Sequence, residues 1–228
     1  MLISTCVFDA YGTLFDVAAA ARQVAGEPGR EAFGARWAEV AETWRRKQLE
    51  YSWLRAAAGI HTDFWSVTCD GLDWALEAEG LDDADLRARL LSLYRELTAF
   101  PEVPGVLDAL RTQGMTTAIL SNAAPAMLAD AIESAGLGDR LDAALSAESV
   151  GVYKPDFAVY DLVGAAFGTA RREVLFVSSN GWDAWAATAY GFRSVWVNRR
   201  AEPVDRLTAV PEHVVPDLSH VPDIAARP

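Results

Sequence analysis

The chain alternates short, wholly apolar runs with longer stretches of helical periodicity. Leu2 to Asp9 opens the series, with Ile3, Val7 and Phe8 followed at once by a turn at Tyr11–Gly12. Similar runs recur at Thr116–Leu120, Ala143–Leu145, Val174–Ser178 and Ser194–Val197. Runs this short, apolar without alternation, are the pattern of strands buried on both faces of a parallel sheet. Helices are expected between them over Val106–Thr112, Pro125–Ala135, Pro155–Phe167 and Asp183–Tyr190. Each stops at a glycine, namely Gly114, Gly136, Gly168 and Gly191, the residue that most readily closes a helix. The alternation predicts a doubly wound α/β sheet with helices on both faces.

Residues 16–98 break the alternation. Phe33, Trp37, Val40 and Trp44 fall on one helical face. Leu72, Trp74 and Leu76 follow, with Gly80 as a stop. Leu86, Leu90, Leu93 and Leu97 form a further stripe, opened by Asp82. The expectation is a helical module inserted after the first strand and seated over the C-terminal edge of the sheet, where open α/β folds bind ligands. The expected division is a core of residues 1–15 and 99–228 and a cap of residues 16–98. The tail beyond Arg200 carries Pro203, Pro211, Pro216, Pro222 and Pro228. It is expected to hold one short edge strand, within HVVPDLSHV, and otherwise to wrap the surface.

Composition narrows the chemistry. Of 228 residues, 51% are hydrophobic and 23% charged, enough for a full core in a dissolved protein. The formal net charge is −12, the wrong sign for a polyphosphate groove, and no basic run exceeds Arg45–Arg46–Lys47. Nucleic acid is therefore not an expected partner. No apolar run reaches a membrane span, and the first residues lack the features of a signal peptide. Cys6 and Cys69 are too few for a disulfide framework or a structural zinc site, and His61, His213 and His220 are scattered. The reading is a cytoplasmic protein that works with carboxylates, hydroxyls, amides and a few cations.

Four polar clusters follow expected strands: FDAYGTLFD (Phe8–Asp16), ILSNA (Ile119–Ala123), VYKPD (Val152–Asp156) and FVSSNGWD (Phe176–Asp183). Alone, each is ordinary. An Asp before Gly-Thr makes a turn, Ser121–Asn122 can cap a helix, Lys154–Pro155 can open one, and Asp183 suits a helix N-terminus. A parallel sheet, however, brings all four to one crevice.

This order of motifs, together with WRRKQLEYSWLR, resembles the haloacid dehalogenase superfamily, and within it the L-2-haloacid dehalogenases. The resemblance spans nearly the whole chain. It implies a Rossmann-like, doubly wound parallel core with an inserted α-helical cap. Two positions separate this subgroup from the magnesium-dependent phosphatases of the superfamily. Those place a second Asp two residues after the nucleophile, where this chain has Tyr11. They also place an Asp four residues before the last motif Asp, where it has Ser179. The first of these serves the phosphatases as acid and base for the leaving group and the second as a magnesium ligand; removing that one carboxylate weakens a magnesium site, which needs several oxygen ligands.

The resemblance implies hydrolysis of short (S)-2-haloalkanoic acids to (R)-2-hydroxy acids, with no cofactor or metal. Asp9 is the implied nucleophile, forming an ester with displacement of halide. Ser121 and Lys154 are implied to hold the substrate carboxylate, while Arg45 and Asn122 stabilise the halide. Thr13 is implied to bond Asp9, and Tyr160 to support Lys154. Ser178, Asn180 and Asp183 are implied to hold the hydrolytic water, with Asp183 orienting Lys154 or helping to activate that water. Tyr11, Leu49, Phe64 and Trp182 are implied to line the apolar side of the substrate. Arg46 departs from the Gln common after the catalytic Arg. The alternatives are a magnesium-dependent phosphatase, a fluoroacetate-active variant of the same mechanism, and a carboxylate-binding module without catalysis. A homodimer is expected, through cap surfaces such as Trp53 and Leu54.

Overall fold

In the computed structural model, which describes residues 2–227, the apolar runs form a sheet whose first five strands are β1 (Thr5–Phe8), β2 (Thr116–Ser121), β3 (Ala143–Ser146), β4 (Val174–Ser178) and β5 (Arg193–Val197). The sixth, β6 (His213–Val215), is the short edge strand expected in the tail. All paired strands are parallel, in the order β3-β2-β1-β4-β5-β6. From β1 the chain winds outward first to one side and then to the other. The end of β1 is therefore the switch point, where the loops on its two sides diverge and leave a crevice. Phe8 pairs with Ile119 on one side and Val177 on the other, so the residues that follow β1, β2 and β4 emerge together.

The segment between β1 and the rest of the core is helical, with α1 (Ala19–Ala25), α2 (Glu31–Gly34), α3 (Trp37–Ala58), α4 (Phe64–Ala78) and α5 (Ala84–Arg95). The chain leaves the sheet layer at Phe15 and returns at Ala99, and the two crossings are tied together. An antiparallel bridge joins Phe15 to Ala99, Asp16 N donates to Thr98 O at 2.9 Å, and Phe100 N donates to Leu14 O at 2.9 Å. Leu86, Leu90, Leu93 and Leu97 are all buried, as their spacing requires.

Three details differ from the sequence pattern. Phe33 sits on the separate short helix α2, because Ala35 and Arg36 interrupt the run before Trp37. Trp74 is 38% exposed while Leu72 and Leu76 are buried; two residues from either leucine, it faces the other way on a helix. Asp83 rather than Asp82 opens α5, its side chain accepting from Leu86 N at 2.9 Å.

The remaining helices are α6 (Val103–Thr112), α7 (Pro125–Ser134), α8 (Phe157–Phe167), α9 (Gly181–Tyr190) and α10 (Val221–Ala225). Helix α8 starts at Phe157 rather than Pro155 because Asp156 is a better N-cap, its carboxylate accepting from Ala158 N at 2.9 Å. Helix α10 is an addition to the expected surface tail. Its Val221, Ile224 and Ala225 are buried, and Pro222 stands in the first turn where a missing N–H costs nothing. Among the described residues no helix is long and apolar enough to cross a membrane.

Candidate active site

Asp9 follows β1 directly and is 7% exposed. The backbone turns sharply beyond it. Thr13, Leu14 and Phe15 N–H groups all donate to Ala10 O, and Gly12 adopts φ +89°. A side chain at Gly12 would be strained there and would also press within 3.2 Å of Ser179 Oγ. This turn brings Thr13 back over Asp9. Three donors converge on the carboxylate: Thr13 Oγ1 at 3.0 Å and Asn180 Nδ2 at 2.9 Å on Oδ2, and Lys154 Nζ at 3.2 Å on Oδ1.

Lys154 is 1% exposed and lies between two carboxylates, donating also to Asp183 Oδ2 at 2.9 Å. Its ammonium has a third donor beyond these two. Asn122 Oδ1 accepts from the Lys154 backbone N at 2.8 Å and so fixes where the side chain starts. Asp183 is fully buried at the start of α9, and its Oδ1 accepts from Tyr160 Oη at 2.6 Å. Burial, and then the charge of Asp9, push the Asp183 carboxyl up from its ordinary value, against the pull of Lys154 and Tyr160. Burial, and then the Asp183 charge, push the Tyr160 phenol well above its ordinary value, so it stays a donor.

Ser121 Oγ accepts from Ala123 N at 3.1 Å and Ser178 Oγ from Asn180 N at 3.1 Å. Both hydroxyl protons therefore remain to be donated. The cap supplies Arg45, on α3, whose Nη2 lies 3.3 Å from Asn180 Oδ1 and 3.4 Å from Tyr11 O. Asn180 thus bridges the guanidinium and the Asp9 carboxylate. Its orientation is fixed chemically, because the carboxylate needs the N–H and the guanidinium the carbonyl.

A cleft of about 760 Å³ between cap and core is lined by Tyr11, Gly12, Arg45, Leu49, Trp182 and Asn180, among others. Asp9, Ser121, Lys154 and Asp183 are buried behind this surface. Phe64, like those four, is not on the open surface of this cleft. It is 2% exposed and packs edge-on against Tyr153, with ring centroids 6.0 Å apart. Arg46 turns part of its charge outward, over the Trp74 ring at 5.6 Å and toward Glu50 at 3.6 Å.

The donor set does not fit a magnesium ion. The place between Asp9 and Asp183 is taken by an ammonium. The position where a phosphatase carries a metal-ligating carboxylate is Ser179, and the position of its acid–base carboxylate carries Tyr11, stacked on Tyr94 with ring centroids 5.5 Å apart. Among the described residues no group of three His, Cys, Asp or Glu could hold a metal.

The sequence pattern marked Ser179 only as the place of an absent carboxylate, and singled out none of several other members of this neighbourhood. Ser179 N donates to Thr13 Oγ1 at 2.8 Å, and with the Thr13 proton on Asp9, the Ser179 hydroxyl donates to it as well, at 3.1 Å. Arg199, just after β5, donates to Thr13 O at 3.1 Å and stacks on Phe100. It sits at the end of a fifth strand, a place where polar residues could have been sought. Gln48 continues the buried stripe of Val40 and Trp44 at four-residue spacing, a polar residue where an apolar one is due. Thr68 and Tyr94 left no comparable mark.

The chain is similar to known proteins in sequence and in fold. Residues 3–191 match the family model described as haloacid dehalogenase-like hydrolase. (S)-2-haloacid dehalogenase 1 of Pseudomonas sp. (strain CBS-3) is 42% identical over 226 residues, covering 99% of this chain and 97% of its own. A crystal structure of a dehalogenase superposes with a TM-score of 0.93 at 39% identity, covering 99% of this chain and 98% of that one. L-2-haloacid dehalogenase from Xanthobacter autotrophicus, solved with chloropropionic acid covalently bound, gives a TM-score of 0.86 at 37% identity, covering 98% of each chain.

Proposed function

The chain belongs to the haloacid dehalogenase-like hydrolases, and we infer that it hydrolyses short (S)-2-haloalkanoic acids to (R)-2-hydroxy acids and halide. The reaction runs through an ester on Asp9. The observation that carries this reading is the setting of Asp9, a carboxylate held by an ammonium, a hydroxyl and an amide, with a guanidinium one side chain away.

In this reading the substrate carboxylate is held by the free Ser121 hydroxyl, the third donor of Lys154 and backbone amides after Asp9. Its C2 then lies in line with the Asp9 carboxylate at roughly 3–3.5 Å, the near-attack distance. Asp9 forms the new C–O bond as the carbon–halogen bond breaks, inverting C2. Arg45 meets the departing halide, with Asn122 completing its surroundings. Water then attacks the side-chain carbonyl carbon of Asp9 and releases the alcohol without touching C2. Ser178 and Asn180 place that water. Both oxygens of Asp183 accept bonds, from Lys154 and from Tyr160, which supports an orienting role for it. Tyr11, Leu49 and Trp182 form the apolar wall. Residues 1–15 and 99–228 are the catalytic core in this reading and residues 16–98 the cap, a division supported by the paired crossing at Phe15 and Ala99. The reading includes a cytoplasmic homodimer, supported by unpaired cysteines and by exposed Leu54 on α3; sedimentation equilibrium tests the dimer.

The test is halide release from (S)- and (R)-2-chloropropionate with EDTA present. Chloride is expected from the S acid alone; none from either enantiomer would sink the assignment. Asp9→Asn should abolish turnover. Under single-turnover conditions in heavy-oxygen water, mass spectrometry should find the label on Asp9 and not on the product.

A further inference from the structure

Arg45 is held in turn by a buried network inside the cap. Gln48, one turn further along α3, is 1% exposed, and its Oε1 accepts from Arg45 Nη1 at 2.7 Å. A buried amide can face either way, and here the choice is forced. Thr68 Oγ1 donates its single proton to Phe64 O at 2.7 Å. Toward Gln48 it can only accept, and Gln48 Nε2 donates to it at 2.7 Å. The second Nε2 proton goes to Tyr94 Oη at 3.1 Å. With both N–H groups committed, the carbonyl must point at Arg45.

We propose that Gln48, its amide locked by Thr68 and Tyr94, is the positioning residue that aims Arg45 at the departing halide. The proposal rests on the dehalogenase reading above. A guanidinium is a rigid planar fork, so pinning Nη1 fixes Nη2. Nη2 is left with two long contacts, at 3.3 Å and 3.4 Å, and remains free to meet a developing anion. A neutral amide suits this task better than a carboxylate. Glutamate would bind Arg45 more strongly, but would also cancel the positive charge the halide needs. The helix packing maintains the arrangement. Trp44 Nε1 donates to Thr68 O at 2.8 Å, and Gly71 lets α4 approach so closely that a Cβ there would lie 3.2 Å from Gln48 N.

The experiment compares kcat/KM for (S)-2-chloropropionate and (S)-2-bromopropionate, a ratio that does not depend on the folded fraction. Chloride leaves less readily, so its departure draws more on Arg45. Thr68→Val keeps the shape and removes the acceptor, letting the amide turn its N–H toward Arg45. It should lower the chloro substrate by about tenfold and the bromo substrate by less, because small misplacements of a catalytic group are costly. Thr68→Ser, which restores the hydroxyl, should return the ratio to the wild-type value. Tyr94→Phe should move the ratio in the same direction by a smaller factor, and supplies the answer if Thr68→Val does not fold. In an Arg45→Lys background Thr68→Val should leave the ratio unmoved. Equal losses on both substrates, a shift with Thr68→Ser as large as with Thr68→Val, or a shift that persists without Arg45 would each overturn the proposal. Failure of the underlying reading is distinct: the wild-type enzyme then releases no halide from either acid.

Discussion

One ammonium, that of Lys154, faces two buried carboxylates within 3.2 Å. The consequence for stability follows from Asp183, whose carboxyl is pushed up by burial and by Asp9. A raised carboxyl pKa means that the folded state holds this proton more tightly than the unfolded chain does. The associated stability is present below an ordinary carboxylate value of about 4 and is lost as the pH rises through the folded value. Ionising Asp183 as the pH rises therefore works against the fold. Asp183→Asn keeps an acceptor for Lys154 and leaves that ammonium paired with Asp9. Thermal unfolding at pH 7 should show an unchanged or raised Tm, and the difference from wild type should shrink as the pH falls through the folded value toward about 4 and stay level below it. Turnover should drop by about 10²-fold, from loss of an oriented Lys154. Stability and activity then move apart, as expected where a site holds unfavourable charge for function. Burial pushes the Cys6 thiol up to about 12, so in the folded protein iodoacetamide at neutral pH should leave Cys6 unmodified, and in guanidinium should alkylate it.

At the scale of elements, two helical glycines separate packing from propensity. Gly71 on α4 faces α3, where an added Cβ would stand 3.2 Å from Gln48 N and 3.4 Å from Trp44 O. These neighbours are backbone and cannot yield cheaply. Gly71→Ala gains about 1 kcal/mol in helix propensity but meets strain of about 1–3 kcal/mol. A lower Tm, by a few degrees, is the expected result. Gly164 on α8 has nothing within 4 Å of an added Cβ. There Gly164→Ala should raise stability by about 0.5–1 kcal/mol, measured by urea denaturation. The strand and helix pattern of the core was largely readable because each element repeats one rule: a short apolar run, a periodic helix, a glycine stop. The ends were less readable. Asp83 and Asp156 took the caps from their neighbours by local hydrogen-bond geometry, and Ala35–Arg36 split a face that periodicity alone runs together.

At the scale of the molecule, cap and core meet across the cleft through aromatic rings. Trp53 of α3 packs edge-on against Trp182 of α9, with centroids 5.3 Å apart. Both rings line the main cleft, and both also line a second cavity of about 440 Å³ walled by Ala56, Tyr153, Trp185 and Leu207 among others. The pair stands between the two spaces. Trp53→Ala should open one into the other and raise kcat/KM for (S)-2-chlorohexanoate relative to (S)-2-chloropropionate by about tenfold, the worth of a methylene or two of apolar contact. Initial-rate measurements on the two acids check this.

The sequence alone was enough for the doubly wound sheet, the inserted helices and the polar residues that follow the strands, because strand ends in a parallel sheet must converge and each motif lies within a few residues of chain. It also placed Tyr11 where a phosphatase needs an acid–base carboxylate and Ser179 where a magnesium site needs a carboxylate ligand. Long-range geometry supplied the rest. Lys154 reaches Asp9 across 145 residues of sequence and Asn180 reaches it across 171. Gln48 faces Arg45 only because Thr68 and Tyr94, on two other helices, use up its amide protons. Hydrogen bonds between distant elements depend on how helices pack, and side-chain periodicity carries no record of which partner a buried amide will meet.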